Sequence, residues 1–282
     1  MRACPVCGNS TNQTDLWNMS NIARCSVCGL GYVKRLPTLE ELAAIYAADY
    51  WNGRKAYTDY LADKVGTQLH FKHRIASLRQ FSSGGKLFEA GCAYGFFLEL
   101  AQAYWTVKGV DFSEAAIAYA RDTLHLPVEQ GDFESNPPEP NIYDVVAMWD
   151  TIEHLYDPAL AISKSVEALH SGGYLALTTA DLDALLPRIQ KTSWRMIIPA
   201  HLHYFSRQSI TYLLEAHGLK VVHFSHVSYY RSVRQMAQII TWNKPDSRWR
   251  RQLQNQIERL PFMGSYIPLN LYDIMFVVAQ KL

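Results

Sequence analysis

Lys86-Leu87-Phe88-Glu89-Ala90-Gly91-Cys92-Ala93-Tyr94-Gly95-Phe96 is an apolar run that stops at two glycines and resumes as an amphipathic segment. The spacing predicts a strand over Lys86–Ala90, a glycine turn, and a helix over Phe96–Ala103. Glycine at 91 and 95 lets the backbone bend sharply and come close to a ligand before the helix starts. The same alternation continues downstream. Thr106–Val110, Pro127–Glu129, Asp144–Met148 and Tyr174–Thr179 read as further strands, the last following the Gly172-Gly173 turn. Helices are expected over Glu114–Asp122, with Ser113 as N-cap, over Pro158–Leu169 and over Ser209–His217. Strands at Leu219–Val227 and Asp273–Gln280 complete the pattern. Strand–helix alternation of this kind predicts an α/β fold with a mostly parallel, Rossmann-like sheet covered on both faces.

Ligands of such sheets bind at the carboxyl ends of the strands. Here those ends carry polar residues in an otherwise apolar setting. The first strand holds Glu89, the second ends in Val110-Asp111-Phe112, and the third leads to Gln130-Gly131-Asp132-Phe133. The fourth ends in Trp149-Asp150-Thr151-Ile152-Glu153-His154. Asp111 stands 20 residues after Gly91, where an acid can accept both hydroxyls of an adenosine ribose. A dinucleotide fingerprint would need glycine at 93 and glycine or alanine at 96. The chain has Ala93 and Phe96, so that reading fails.

The 282 residues are 49% hydrophobic and 19% charged, a globular composition. At roughly 150 residues per domain, the length suggests one large domain and a small one. With 27 basic and 26 acidic side chains the net charge is +1, which argues against a polyanion-coating protein. No apolar run is long enough to span a membrane, and Met1-Arg2-Ala3-Cys4-Pro5 carries no apolar signal region. The expected location is the cytoplasm.

Four of the five cysteines form Cys4-Pro5-Val6-Cys7 and Cys25-Ser26-Val27-Cys28. That C-x2-C pairing is the spacing of a structural zinc site, with Gly8 and Gly29 permitting the turn of each knuckle. Four thiolates leave no open coordination position, so a metal held by Cys4, Cys7, Cys25 and Cys28 is structural rather than catalytic. The predicted organisation is a zinc ribbon over residues 1–35, a helical cover over 36–83, and a main domain over 84–282. Thr38 and Glu41 form a capping-box pattern that opens a helix running to about Ala48. Tyr50, Trp51, Tyr57, Tyr60 and Phe71 lie at loosely helical spacing in the cover. The stretch 229–270 breaks the alternation as a basic insertion. It carries Arg231, Arg234, Lys244, Arg248, Arg250, Arg251 and Arg259 against Asp246 and Glu258, with Trp242 and Trp249 among them. A lid, a dimer contact, a surface for an acidic partner and a solvated helical face all fit that composition.

Taken together, Glu89–Gly95, Asp111, Gly131-Asp132-Phe133 and Trp149–His154 resemble the consecutive motifs of class I S-adenosylmethionine-dependent methyltransferases. The chain is most similar to a bacterial branch with an N-terminal zinc ribbon, related to ubiquinone-type O-methyltransferases. Asp150–Leu155 and His201-Leu202-His203-Tyr204-Phe205-Ser206 are typical of that branch. The resemblance implies a seven-stranded sheet with an antiparallel last strand, and S-adenosylmethionine (SAM) as cofactor. It implies that Glu89 and Gly91 face the methionine moiety, with Ala93, Tyr94 and Gly95 in the same turn. Asp111 would bind the ribose and Phe112 flank the adenine. Asp132 would contact the adenine amino group, Phe133 its ring, and Trp149 and Asp150 the sulfonium. Ala93 replaces the usual middle glycine of the first motif and would shift the lie of the cofactor's tail.

Methyl transfer is an in-line displacement governed by alignment, and an oxygen nucleophile also needs a base. His154, His201, His203 and Tyr204 are the candidates beyond the fourth and fifth strands. Asn136-Pro137-Pro138 resembles the N-P-P-aromatic signature of amino-group methyltransferases, but it precedes the fourth strand and Glu139 replaces the aromatic, so it is read as a loop. Cys92 is read as a small apolar filler. The expected activity is methylation of oxygen, or of nitrogen or carbon, on a small-molecule acceptor such as a sugar, glycan precursor or secondary metabolite. A methyltransferase for RNA or protein, docking through the ribbon and the basic segment, is the alternative, weakened by the near-neutral charge. A non-catalytic scaffold would not require the acidic strand ends. A homodimer is compatible with all of these.

Overall fold

The structure, a computed structural model, describes residues 2–38, 40–42, 60–234, 236 and 264–282. Three short strands open the chain: β1 (Thr14–Asp15), β2 (Ile22–Arg24) and β3 (Gly31–Val33), an antiparallel meander. Helix α1 (Lys64–Leu78) follows, then β4 (Lys86–Ala90), α2 (Phe96–Ala101), β5 (Thr106–Asp111), α3 (Glu114–Asp122) and β6 (Val128–Gln130). The second half runs β7 (Tyr143–Trp149), α4 (Pro158–Ala168), β8 (Leu169–Ala180), α5 (Leu185–Gln190), β9 (His203–Tyr204), α6 (Arg207–Ala216) and β10 (Leu219–His226). It ends with β11 (Tyr229–Ser232), β12 (Tyr266–Leu269) and β13 (Ile274–Lys281).

The main sheet has the order β10-β13-β8-β7-β4-β5-β6. Neighbours from β8 through β6 are parallel, and β13 is antiparallel to both of its partners. The chain leaves β6 at one edge and returns as β7 on the other side of β4. That reversal makes the carboxyl ends of β4 and β7 the switch point where ligands bind. The burial pattern explains the sequence: Val145 to Trp149 in β7 are all buried, as a parallel strand covered on both faces requires.

Local signals match their elements. The Ser113 hydroxyl accepts from Ala116 N at the start of α3, and Asp157 caps α4 ahead of Pro158. Thr38 and Glu41 exchange the two bonds of a capping box. The predicted continuation of that helix to Ala48, together with Tyr50, Trp51 and Tyr57, lies outside the described residues. So does most of the basic insertion. One strand differs from expectation: β8 starts at Leu169, ahead of the Gly172-Gly173 turn. Leu169 already pairs with Tyr143, and a register shift between Tyr143 and Val145 absorbs the glycines.

The ribbon is not a separate bead. Strand β9 pairs antiparallel with β3 and completes a four-stranded sheet β1-β2-β3-β9. Cys4, Cys28, Leu30 and Tyr32 belong to the same buried cluster as Met148, Ile152, Phe205 and Ile210. Each such apolar side chain contributes on the order of 2 kcal/mol when fully buried. The Arg24 guanidinium adds a two-pronged pair with Asp183, at 2.7 and 3.0 Å.

Candidate active site

The turn after β4 is built around β5. Gly91 N and Cys92 N both donate to the Val110 carbonyl, at 2.9 and 3.0 Å. Gly91 has φ +74°, and a Cβ there would stand 2.5 Å from the Thr151 hydroxyl, so the position admits only glycine. Ala93 also sits at positive φ, +45°, and its N–H donates to Asp111 Oδ2 at 2.9 Å. Asp111 Oδ1 accepts Ser113 N at 2.9 Å. Asp111 therefore braces two turns at once. A carboxylate offers about four lone-pair directions, which leaves capacity for a pair of hydroxyls.

Glu89 is buried beneath the turn, and its Oε2 has no partner among the described residues. Burial, followed by the charge of Asp111, pushes its carboxyl well above the usual carboxylate range. Trp149 is also buried, with its indole N–H unpartnered among the described residues. Tyr94 stacks against Tyr60 and Phe96. Phe112 is half exposed at the rim of β5.

The third-strand pair is placed differently from the rest. Phe133 is buried in the core against Phe88, with ring centroids 6.0 Å apart. The Asp132 carboxylate is occupied within its own turn, by Glu134 N and the Ser135 hydroxyl.

Three contributors were not singled out from the sequence. Arg74 is 2% exposed, on the same face of α1 as Phe71, Ile75 and Leu78. Its guanidinium lies 5.2–5.4 Å from the rings of Phe71, Trp149 and Tyr229, and its Nε and Nη2 have no hydrogen-bond partner among the described residues. An arginine at a core position of an amphipathic helix is the signal that marks it, because a buried cation demands an anion. Tyr229 donates its hydroxyl to Asp150 Oδ2, while Asp150 Oδ1 accepts from the Thr178 hydroxyl at 2.9 Å. Asp150 itself has φ +51°. Arg74 Nη2 stands 3.9 Å from Asp150 Oδ2.

The third is Glu153, in a cluster with the predicted histidines. His154 Nδ1 bonds the Ala200 carbonyl at 3.0 Å, which makes Nδ1 the protonated nitrogen and Nε2 the acceptor. His154 and His201 meet edge to face at 4.7 Å, and the His201 ring lies 6.2 Å from that of Tyr204. Both oxygens of Glu153, Nδ1 of His201 and both ring nitrogens of His203 lack partners among the described residues. Burial pulls His154 down to about 4 and His203 to about 3, so these imidazoles are neutral bases at neutral pH. Burial and then the charge of Asp150 push Glu153 up to about 8. The ligand atoms of Glu153, His154 and His201 all lie within 4.8 Å of one another, a spacing that a divalent cation could bridge.

At the ribbon, Cys4, Cys7, Cys25 and Cys28 also bring their sulfurs within 4.8 Å of one another. Cys4 and Cys28 are 3.5 Å apart, Cys7 and Cys25 3.4 Å. A tetrahedral zinc with Zn–S near 2.3 Å needs sulfurs about 3.8 Å apart. The two knuckles repeat one bond pattern: Gly8 N to Cys4 O and Cys4 N to Asn9 O, then Gly29 N to Cys25 O and Cys25 N to Leu30 O. This donor set fits zinc.

A doubly wound sheet with glycine-turned, acid-bearing strand ends defines an α/β enzyme class that binds an adenosyl cofactor. The chain belongs to the S-adenosylmethionine-dependent methyltransferases: the methyltransferase-domain family matches residues 62–224. A probable S-adenosylmethionine-dependent methyltransferase of Mycolicibacterium smegmatis is 28% identical over 141 residues, which are 49% of this chain and 53% of the relative. The ubiquinone biosynthesis O-methyltransferase of Thiobacillus denitrificans is 28% identical over 149 residues, 45% of this chain and 64% of the relative. The chain thus spans under two thirds of the length of these relatives. A SAM-dependent methyltransferase of Archaeoglobus fulgidus shares the fold with a TM-score of 0.52 at 18% identity, over 79% of this chain and 99% of that one. Among the described residues no helix is long and apolar enough to cross a membrane.

Proposed function

We propose that this protein transfers a methyl group from SAM to a small-molecule acceptor, most directly to an oxygen. The observation that carries this reading is the set of buried, unpartnered polar groups at the carboxyl ends of β4 and β7. Among the described residues Glu89 Oε2, the Trp149 N–H and the Arg74 Nε lack hydrogen-bond partners, Arg74 Nη2 stands 3.9 Å from Asp150, and each group suits one charge or dipole of a zwitterionic sulfonium ligand. Arg74 would hold the cofactor's carboxylate and Glu89 its ammonium, while Asp111 takes the ribose hydroxyls. When bound, SAM supplies the electrophilic methyl. The chain's part is to hold donor and acceptor in line and keep water out.

On the acceptor side, His154, His201 and His203 are neutral in a buried setting, the state a general base requires. His154, whose Nδ1 donates to the Ala200 carbonyl, is the base proposed for a hydroxyl proton. Tyr229 and Asp150 would wall the gap between cofactor and acceptor. The ubiquinone biosynthesis O-methyltransferases among the relatives support a small hydroxylated acceptor. The ribbon, with zinc in its thiolate site, is assigned a structural role.

Calorimetric titration with SAM and S-adenosylhomocysteine (SAH), with NAD as control, tests the cofactor assignment. Binding of the sulfonium pair alone, lost in Arg74→Ala and Asp111→Ala, is expected; no heat from either ligand would overturn it. Transfer of labelled methyl from SAM to hydroxylated aromatics, sugars and bulk RNA then identifies the acceptor class.

A further inference from the structure

The segment that carries His201, His203 and Tyr204 is anchored to its neighbours: Leu182 N donates to the Phe205 carbonyl at 2.7 Å and His154 Nδ1 to the Ala200 carbonyl at 3.0 Å. Two further anchors lie on opposite sides of it. On one side Leu202 N donates to the Glu153 carbonyl at 2.8 Å, tying the segment to the turn that follows β7. On the other, Val33 N donates to the Leu202 carbonyl at 3.0 Å, and Tyr32 and Gly31 of the ribbon stand opposite His203 and Tyr204. The approach at Gly31 is unusually close. A Cβ there would lie 3.1 Å from the Tyr204 Cβ and 3.3 Å from Leu16 and Leu182. A side chain there would oblige Tyr204, Leu16 or Leu182 to give by a few tenths of an ångström.

Strand β3 begins three residues after Cys28, and the second knuckle delivers it through Gly29 and Leu30. The Cys25 N to Leu30 O bond closes that knuckle at 2.8 Å. Gln208, at the start of α6, donates to the Val27 carbonyl inside the same knuckle. The chain from thiolate site to acceptor-side histidines is therefore short, continuous and buried, since Cys28, Leu30, Tyr32 and Phe205 are each fully enclosed. Among the described residues, Glu89, Gly91, Asp111, Arg74 and Trp149 take no hydrogen bond from the ribbon.

We infer that β3, with Gly31 in it, is a positioning element of the acceptor site, so that metal in the four-cysteine site sets where His201, His203 and Tyr204 stand. This inference rests on the reading that these residues face the acceptor. It makes the ribbon's metal state a control on the acceptor half of the reaction, with the cofactor half left intact.

The experiment uses full-length protein labelled with 15N-histidine. The ring signals of His201 and His203 are assigned by loss in His201→Asn and His203→Asn, and SAH affinity is measured in parallel. Gly31→Ala keeps all four cysteines and pushes directly on Tyr204. The His201 and His203 signals are expected to move in Gly31→Ala and in chelator-stripped protein, with those of surface His125 unmoved and SAH affinity unchanged. Val33→Pro removes the single N–H that reaches Leu202 and should act in the same direction, which keeps the test open if stripped protein unfolds. Unmoved His201 and His203 signals in the folded, zinc-loaded Gly31→Ala and Val33→Pro variants would overturn the coupling. So would loss of SAH binding in step with the shift. The acceptor reading fails separately: shifted signals with undiminished turnover of the screened acceptor in His201→Asn and His203→Asn would refute it and leave the coupling standing.

Discussion

The two halves of this site are made in opposite ways. Arg74 of α1 apart, the half proposed for the cofactor is built from strand ends and the turns that follow them: residues 89–95 at the end of β4, 111–113 at the end of β5 and 149–151 at the end of β7. Each turn braces its neighbour, as when Asp111 accepts both Ala93 N and Ser113 N. The acceptor half is assembled from pieces far apart in the chain. A ribbon strand, the turn after β7 and the 200–206 segment meet there. Locally encoded geometry survives perturbation elsewhere, whereas geometry set by pairing of distant segments fails when any one contributor moves. Perturbations should therefore separate the two halves.

The largest effect is expected from Arg74→Ala, which should cost about 3 kcal/mol of SAH binding, roughly a hundredfold in Kd, by leaving a carboxylate without its cation. Calorimetry checks it, and unchanged histidine ring signals in the same variant would confirm that the halves are separable. An unaltered Kd would remove Arg74 from the cofactor site.

Glu153 offers a pH test on the acceptor side. Burial raises its folded pKa to about 8, above the unfolded value, so the folded carboxyl stays protonated while the unfolded one ionises. Stability therefore falls as pH rises from the unfolded pKa through about 8, and is flat above that. Glu153→Gln cannot ionise. Its melting temperature should equal that of the wild type near the low end of this window and exceed it at the high end, by on the order of 2 kcal/mol in stability. Parallel melting curves across the window would show that the carboxyl is ionised in the fold.

Gly91→Ala addresses the cofactor half from the backbone. A side chain at φ +74° costs about 1–2 kcal/mol, and its Cβ would crowd Thr151. A lowered melting temperature together with weaker SAH binding is expected; a loss of stability with SAH binding retained would place Gly91 outside the cradle. The smallest effect belongs to Tyr229→Phe, which removes one donor from Asp150. A loss of about 1.5 kcal/mol, near tenfold in kcat/KM, is expected from one bond to a charged acceptor. Because Tyr229 bridges the halves, a change in acceptor KM alone, with SAM KM constant, would assign it to the acceptor side.

The strands and turns proposed to hold the cofactor were legible in the sequence. Alternating apolar runs predict the strands, and polar residues at their carboxyl ends stand out against that background. Ser113 and Thr38 announced their helices because capping is a short-range event. Phe133 was less legible, since an aromatic at a strand end serves equally as core filler or ring platform, and here it packs on Phe88. Arg74 hid in the periodicity of α1 as one basic residue among several.

By itself the sequence determined the strand–helix alternation, the glycine turns, the polar residues at the strand ends and the two cysteine knuckles. All depend on residues within a few positions of one another, where backbone sterics and hydrogen bonding act. Only the tertiary structure decided that β3 of the ribbon pairs with β9, that Glu153 joins the histidine cluster, and that Arg74 and Tyr229 close on Asp150. Those contacts depend on which surfaces the packed sheet brings together, and the pairing of distant segments leaves no periodic trace in the chain.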